Sequence, residues 1–284
     1  MAERAEALIE VGELQERIGS PDWVLFDCRF SLADKEQGAR AYQQGHIPGA
    51  WYADLEKALS GPVVAGQTGR HPLPEPGGLT RFLTRCGLRD GATAVVYDDN
   101  NGAMAARLWW LLRYLGVESV RLLNGGFSAW QAEGGDLSTL SPQPKGNEGV
   151  LTVRPNPQLL VSAEEILAGL DEDRFCLVDA RAEPRFRGEV EPIDPVAGHI
   201  PGAHCYPFEE NLGEDGRFKS SAELKRRFAS LAHNASPLVC YCGSGVTACH
   251  NLLAMELAGL PMAKLYPGSW SEWITDPARP LAAG

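Results

Sequence analysis

The chain has 284 residues, of which 44% are hydrophobic and 22% are charged, and this length favours two domains over one. Lysine and arginine number 26 against 37 aspartates and glutamates, which gives a formal net charge of -11. Nucleic-acid binding needs a basic face, so this balance argues against it. An anionic substrate would need a local cluster of arginines.

The sequence also limits the compartment and the role of the cysteines. No apolar run approaches the length that spans a bilayer, and the N-terminus, MAERAEALIEVGEL, lacks the basic and apolar regions of a secretory signal. We therefore expect a cytoplasmic protein. Its seven cysteines then predict reduced thiols, and their scattered spacing offers no tetrahedral metal site.

Short apolar runs that alternate with amphipathic segments predict an α/β fold. The first half predicts, in chain order, a strand at 22–27, a helix at 79–86, a strand at 93–97, a helix at 103–115 and a strand at 120–123. The second half predicts a strand at 175–179, a helix at 222–231, a strand at 237–241, a helix at 246–258 and a strand at 263–266. Such alternation indicates mostly parallel sheets flanked by helices.

Two further signals mark helix starts in the second half. Ser162 with Glu165, and Ser220 with Glu223, have the spacing of a capping box. We therefore expect a helix to begin after each serine.

The sequence contains an internal repeat. LFDCR at 25–29 matches LVDAR at 177–181, and GHIPGA occurs at 45–50 and again at 198–203. LNGGFSAW at 123–130 matches LYPGSWSEW at 265–273. The offset falls from 152–153 to 143 residues, which an insertion at 61–76 in the first copy would explain. Matched segments in the same order predict two similar domains.

The domain limits follow from the repeats and from composition. We predict an N-terminal domain at 1–138, a linker at 139–158 in a segment rich in glycine, proline and serine, and a C-terminal catalytic domain at 159–284. The two copies could bury their faces against each other, so we expect a monomer.

The turn after the strand at 237–241 holds the candidate nucleophile. It reads VCYCGSGVTA, so Cys242 follows a buried strand and precedes a helix. Unpaired backbone N–H groups and the helix dipole favour the thiolate form at such a position. Gly243 and Gly245 are expected to let the backbone curl round the sulfur and to give it little side-chain cover. Ser244 and Thr247 add hydroxyl donors.

The same turn in the first copy lacks a thiol. VVYDDNNGAMAAR places Asp98 or Asp99 where the second copy has Cys242. Ligands in open α/β sheets bind at the carboxyl ends of strands, so both turns lie in a suitable place. We therefore predict that the first domain is catalytically inert.

Two other functions would use a cysteine at this place. A cysteine phosphatase needs an arginine six residues after the nucleophile, and Ala248 stands there, which argues against that class. A redox sensor needs a resolving cysteine, and Cys240 and Cys249 are both expected to be buried. Cys86 and Cys176, in apolar or helical patterns, are expected to be structural.

The tandem D-x-R, GHIPGA and terminal GSW-x-EW segments, with CGSGVTA in the second copy only, resemble the two-domain rhodanese-type sulfurtransferases over nearly the whole chain. Within that family the CGSGVTA loop resembles that of 3-mercaptopyruvate sulfurtransferases. Thiosulfate-preferring members typically have CRKGVTA, in which added positive charge suits a dianion. The resemblance therefore favours mercaptopyruvate as the sulfur donor.

The resemblance also implies a mechanism. Cys242 would take the donor sulfur as a persulfide, release pyruvate and pass the outer sulfur to a small thiol, thioredoxin or cyanide. No metal or organic cofactor is implied. Two alternatives stay open: a thiosulfate sulfurtransferase, and a non-catalytic carrier or regulatory module that receives a persulfide from a partner.

The family pattern implies roles for further residues of this chain. Arg185 would bind the donor carboxylate. A second arginine is expected nine residues later, but Asp194 stands there: either Arg187 substitutes for it, or the substrate is held less tightly, or the substrate is a different one. His71 would form a proton relay with Ser244.

Further residues around the loop have smaller expected roles. The remaining loop positions, Val246 and Thr247, are expected to contact the donor with Gly243 and Gly245. Arg70 could add positive potential beside His71, whose aspartate partner is not evident in the sequence, with Asp54 one possibility. The other histidines are expected to be structural or at the surface: His46, His199, His204, His233 and His250.

Overall fold

The computed structural model describes residues 7–143, 149–232 and 234–284. Within it the chain divides into two compact units. Unit 1 comprises Met1–Gly61, Pro74–Asn156 and Asp215–Arg217, and unit 2 comprises Pro62–Leu73, Pro157–Glu214 and Phe218–Gly284. The insertion that shifts the repeat offset therefore contributes a short segment, Pro62–Leu73, to unit 2.

Unit 1 is a parallel five-stranded sheet with helices. Its strands are β1 (Leu8–Ile9), β2 (Trp23–Asp27), β3 (Trp51–Tyr52), β4 (Thr93–Tyr97) and β5 (Val120–Leu123), in the order β1-β5-β4-β2-β3. Its helices are α1 (Val11–Arg17), α2 (Gln37–Gln44), α3 (Pro76–Arg85), α4 (Ala105–Tyr114) and α5 (Gly126–Ala132).

Unit 2 repeats this plan with four strands. They are β6 (Cys176–Asp179), β7 (His204–Cys205), β8 (Leu238–Tyr241) and β9 (Lys264–Leu265), all parallel in the order β7-β6-β8-β9. Its helices are α6 (Ala163–Gly169), α7 (Glu183–Phe186), α8 (Ser221–Arg227), α9 (Ala229–Ala232), α10 (Ala248–Leu257) and α11 (Ser269–Trp273). The predicted α/β class with two mostly parallel sheets is confirmed.

The predicted elements agree closely with the observed ones. The strands expected at 22–27, 93–97, 120–123, 175–179 and 237–241 all exist with ends within one residue. Both capping boxes are confirmed, because each serine accepts the N–H of its glutamate and the glutamate side chain accepts the N–H of the serine. The single helix predicted at 222–231 is wrong in one respect, because it is two helices, α8 and α9.

The repeated D-x-R and GHIPGA segments build the same buried contact in each unit. Asp27 forms an ion pair with Arg29 at 2.7 Å, and Asp179 pairs with Arg181 at 2.6 Å. Each arginine also donates to the carbonyl of the glycine that opens GHIPGA, at 2.7 Å in both units. A buried ion pair is costly unless the remaining N–H donors of its arginine are also satisfied. The glycine carbonyl of GHIPGA satisfies one of these donors, which explains why the two segments occur together in both copies.

The histidines of the repeated turn have a structural role, as predicted. His46 Nδ1 lies 2.8 Å from the Tyr42 carbonyl oxygen, and the imidazole ring of His46 stacks on the ring of Tyr42. In the same way, His199 Nδ1 lies 2.8 Å from the Phe186 carbonyl oxygen, and the imidazole ring of His199 stacks on the ring of Phe186. His233 lies outside the described residues.

Each unit has a separate apolar core around its sheet. Val95, Leu123 and Trp130 belong to the core of unit 1, and Val239, Tyr241 and Trp270 to the core of unit 2. In each core a strand of the D-x-R sheet packs against the terminal aromatic helix of the repeat. The described residues of the predicted linker up to Asn156 belong to unit 1. One of them, Arg154, donates its N–H to the Leu115 carbonyl at 2.8 Å.

Among the described residues, no helix combines the length and the apolar character that crossing a membrane would take.

Candidate active site

Cys242 lies where the central strand β8 ends and before helix α10 begins. Its N–H donates to Ser269 Oγ at 3.1 Å, and its carbonyl accepts the Trp270 N–H at 3.0 Å. These two bonds anchor the nucleophile loop, which we define as residues 242–247, to the start of α11. Cys242 is only 2% exposed, so the expectation that the glycines leave it uncovered is wrong.

The two glycines of the loop serve different purposes. Gly245 has a φ of 75°, and a Cβ there would lie 2.3 Å from the Pro267 carbonyl oxygen, so both the left-handed backbone and the close approach require glycine. Gly243 has no positive φ. A Cβ at Gly243 would instead lie 2.8 Å from Arg70 Nη2 and 3.5 Å from Arg185 Nη2. Gly243 therefore makes room for two guanidinium groups.

Two arginines and two carboxylates surround that space. Arg185 donates to both oxygens of Glu191, at 2.7 and 3.0 Å from Nη2, and to Asp194 at 3.3 Å. Arg70 forms a short ion pair with the other oxygen of Asp194. Asp194 thus bridges the two arginines. We call Arg70, Arg185, Glu191 and Asp194 the charged cluster.

The side chains of both carboxylates in the charged cluster are almost fully buried, but their pKa values shift in opposite directions because their hydrogen-bond partners differ. Burial raises the pKa of Asp194, and the Coulombic attraction of Arg70 and Arg185 opposes that shift. Burial would also raise the pKa of Glu191, but hydrogen bonds from Arg185 and from the N–H groups of Ile193 and Asp194 hold it below its usual range.

Arg187 does not enter this cluster. It pairs with Glu183 one turn earlier on the chain, and both side chains are half exposed. Arg70 occupies the place beside the loop that Arg187 was considered for. The sequence pointed to Arg70 only as a source of positive potential, and it did not point to Glu191. An acidic residue a few positions from Arg185, the candidate ligand, is the signal that could have indicated Glu191.

His71 and Ser244 are brought together as the resemblance implied. His71 Nδ1 lies 2.8 Å from Ser244 Oγ, and both side chains are buried. The segment that carries His71 is held in place because the Arg70 N–H donates to Ser271 Oγ at 3.0 Å. Asp54, the aspartate considered for a relay, accepts the N–H groups of Glu56 and Lys57 beside it.

The rest of the loop forms the start of α10. Thr247 occupies the N-cap position without a side-chain cap bond, and the Val246 carbonyl accepts the Cys249 N–H at 3.1 Å. Cys249 Sγ donates to the Gly245 carbonyl at 3.3 Å. Helix N-termini present N–H groups and a positive dipole to an anion, so the loop is suited to hold a negatively charged sulfur.

The matching turn of unit 1 contains an anion of its own. The buried Asp98 carboxylate accepts the N–H groups of Asn100, Gly102, Met104 and Ala105 at 2.7–2.9 Å. Burial raises the pKa of Asp98, and these four donors counteract that shift. A strand-to-helix turn of this fold can therefore bind an anion through its backbone alone.

Five other thiols of the chain have raised pKa values and are poorly suited to act as nucleophiles near neutral pH. Burial raises the pKa of Cys86 to about 12 and, together with nearby carboxylates led by Asp179, that of Cys205 to about 11. Burial also raises the pKa of Cys28, Cys176 and Cys240. These thiols are present mainly in the protonated form, which is the unreactive one.

The α/β fold places a cysteine between the end of a central strand and the start of a helix, with two arginines beside the residue that follows it, and this arrangement is suited to nucleophilic thiol chemistry on an anionic substrate. The model of the Rhodanese-like domain matches residues 10–133 and again residues 162–276. The chain belongs to the rhodanese-like family, and it is a sulfurtransferase.

Relatives of both donor classes are similar to it. The chain is 53% identical over 280 residues to the "Probable 3-mercaptopyruvate sulfurtransferase" of Pseudomonas aeruginosa, covering 98% of each chain. It is 35% identical over 278 residues to the thiosulfate sulfurtransferase of Rattus norvegicus, covering 94% of this chain and 92% of the relative. The solved structure of SseA, a 3-mercaptopyruvate sulfurtransferase of Escherichia coli, matches with a TM-score of 0.81 and 34% identity, covering 94% of this chain and 99% of the other.

Proposed function

We propose that this sulfurtransferase moves a sulfane sulfur from 3-mercaptopyruvate to a thiol or cyanide acceptor through a persulfide on Cys242. The observation that carries the proposal is the arrangement at Gly243. Two guanidinium groups stand beside the residue that follows the nucleophile, whereas the loop itself carries no basic side chain. A planar guanidinium suits a carboxylate, and mercaptopyruvate has one.

The first half-reaction transfers sulfur to the enzyme. The Cys242 thiolate attacks the donor sulfur, an S–S bond forms, and the donor C–S bond breaks with its electron pair on carbon. The product carbanion is the enolate of pyruvate. The persulfide anion left on Cys242 is held by the backbone N–H groups of the loop, as the equivalent turn holds the Asp98 carboxylate.

The enolate needs a proton, and the donor thiol has one to lose. Ser244 and His71, joined by a contact of 2.8 Å, are placed to carry that proton from sulfur to carbon. The second half-reaction then regenerates the thiolate when an acceptor attacks the outer sulfur and the S–S bond breaks. A small thiol, thioredoxin or cyanide serves as acceptor in this proposal, and two separate half-reactions predict ping-pong kinetics.

Thiosulfate is the second candidate donor. The relatives include proteins named for either donor, and two arginines beside the loop would also attract a dianion. The carboxylates of the charged cluster favour mercaptopyruvate, because they cancel the positive charge on which a dianion depends. A non-catalytic persulfide carrier would not need the contact between His71 and Ser244.

The test compares kcat/KM for mercaptopyruvate and for thiosulfate, with cyanide as acceptor, in wild type, Cys242→Ser and Cys205→Ser. We expect wild type to prefer mercaptopyruvate and Cys242→Ser to lose at least about 1000-fold in kcat/KM, because the nucleophile is gone. Cys205→Ser is the matched control: it removes another thiol of unit 2 and should leave the rate unchanged.

Mass spectrometry of the donor-treated protein locates the sulfur. One extra sulfur atom on Cys242 in wild type, and none in Cys242→Ser, is the expected result. Equal turnover by wild type and Cys242→Ser would rule out this nucleophile. A large preference for thiosulfate in wild type would rule out the donor.

A further inference from the structure

Of the carboxylates in the described part of the chain, Asp194 is the one that contacts both arginines beside the nucleophile loop. Arg70 pairs with one of its oxygens and Arg185 donates to the other at 3.3 Å. Its side chain is 3% exposed and that of Glu191 4%, so water does little to screen either charge. Burial raises the pKa of Asp194, and the two guanidinium groups that it contacts oppose that rise by favouring its carboxylate form.

The formal charges of the charged cluster cancel, since two guanidinium groups face two carboxylates; Arg181, which also reaches Glu191 at 3.5 Å, is itself paired with Asp179. The cluster still offers hydrogen-bond donors. Arg70 Nη2 points to the space at Gly243, and among the described residues Arg70 Nε is buried without a hydrogen-bond partner. An anion at this place finds N–H groups to bind but no excess of positive charge.

We infer that Asp194 determines donor specificity: it cancels one arginine charge beside the loop and thereby selects a monoanionic thiol donor against a dianionic one. The inference rests on the proposed function for its donor class. Both kinds of donor can use the hydrogen bonds that the guanidinium groups provide. Because the charges of the cluster already cancel, a monoanion brings one uncompensated charge into this buried place and a dianion brings two, at a higher cost.

The position of Asp194 supports the same conclusion. Its carboxylate holds Arg70 next to Gly243, where any larger residue would collide with Nη2 at 2.8 Å. The glycine at position 243, Arg70 and Asp194 therefore depend on one another. A side chain at position 243 would have to displace the guanidinium group of Arg70.

The test is the ratio of kcat/KM for thiosulfate to kcat/KM for mercaptopyruvate. Asp194→Asn keeps the shape and leaves the cluster with one positive charge, so we expect the ratio to rise at least about tenfold, mainly through a lower KM for thiosulfate. Asp194→Glu keeps the charge, and its ratio should stay within about twofold of wild type.

Two further variants control for charge and for folding. Glu183→Gln removes an exposed carboxylate that pairs only with Arg187 among the described contacts, and it should leave the ratio unchanged. Glu191→Gln also leaves the cluster with one positive charge. It should raise the ratio as Asp194→Asn does, and it serves as the test if Asp194→Asn fails to fold.

Ionic strength separates charge from shape. In Asp194→Asn the kcat/KM for thiosulfate should fall more steeply with added salt than in wild type, because the site gains a net charge. The inference is overturned if folded Asp194→Asn keeps the wild-type ratio, or if Asp194→Glu changes the ratio as much as Asp194→Asn does.

Failure of the inference and failure of the proposed function give different results. The mass of Cys242 and the preference of wild type test the proposed function. The change of the ratio between wild type and Asp194→Asn tests Asp194 whichever donor wild type prefers.

Discussion

Single residues of the nucleophile loop act through geometry that their types alone do not reveal. Gly245 adopts a left-handed backbone against the Pro267 carbonyl, whereas Gly243 has an ordinary backbone and leaves space for Arg70. The fold therefore requires glycine at position 245, whereas the site requires it at position 243. Substitution of each by alanine should therefore affect different properties.

Gly245→Ala should lower the free energy of unfolding by about 2–4 kcal/mol, because a Cβ there adds a clash at 2.3 Å to a strained φ. Gly243→Ala should change stability by less than about 1 kcal/mol but raise the KM for mercaptopyruvate about tenfold, because Arg70 must move. Urea unfolding and steady-state kinetics measure the two effects.

Gly259→Ala is the matched control for backbone strain, since Gly259 has a φ of 79° and nothing within 4 Å of its Cβ position. It should cost only about 1–2 kcal/mol. Equal losses of stability in Gly243→Ala and Gly245→Ala would contradict the division of roles.

At the scale of the element, the turn from strand to helix is the functional unit of this fold. It occurs after β4 in unit 1 and after β8 in unit 2, and each time the carbonyl of its first residue accepts an N–H from the terminal helix of the repeat: Phe127 to Asp98 at 2.8 Å, and Trp270 to Cys242 at 3.0 Å. In unit 1 the turn binds its own carboxylate, so its N–H groups have a structural use. In unit 2 the same kind of turn presents a thiol.

Asp98→Asn should destabilise the protein by about 2–4 kcal/mol, because the amide nitrogen would face N–H donors that now meet an oxygen. Asp99→Asn, at the exposed neighbour, should cost less than about 0.5 kcal/mol. Urea unfolding compares the two variants, and kcat of the folded protein should be unchanged in both. A loss of kcat in Asp98→Asn without a loss of stability would refute a purely structural role.

At the scale of the whole molecule, the two units share a structural plan but differ in what it supports. The buried pairs Asp27–Arg29 and Asp179–Arg181 have the same geometry. Only the second is connected to the charged cluster, because Arg181 Nη1 also donates to Glu191 at 3.5 Å, and Glu191 in turn holds Arg185. A change that is equivalent in the two copies should therefore have unequal functional consequences.

Arg29→Lys and Arg181→Lys should each lower stability by about 1–3 kcal/mol, because lysine cannot reproduce the forked hydrogen bonds to the aspartate and the glycine carbonyl. Only Arg181→Lys should raise the KM for mercaptopyruvate, by about three- to tenfold. Unfolding and kinetic measurements on the two variants test the difference. A raised KM in Arg29→Lys of the same size would remove the asymmetry.

The repeat, the strand positions, the capping boxes and the place of Cys242 at a strand end could all be predicted from the amino-acid sequence. Each of these is local: apolar runs, a serine with a glutamate three residues later, and a cysteine at a strand end are legible without knowledge of distant contacts. It also predicted the α/β class with parallel sheets, which follows from the alternation of the elements.

How the charged groups beside that cysteine are paired could be learned only from the fold. Arg70 comes from a segment far along the chain from the loop, and Asp194 bridges it to Arg185, whereas Arg187, closer to Arg185 in sequence, pairs with a surface glutamate. Neighbours along a chain do not share a site unless the backbone turns them to the same side. Long side chains from separate segments meet only when the fold has placed their backbones, and for that reason the sequence pointed to Cys242, Arg185 and Arg70 but not to the carboxylates that balance the two arginines.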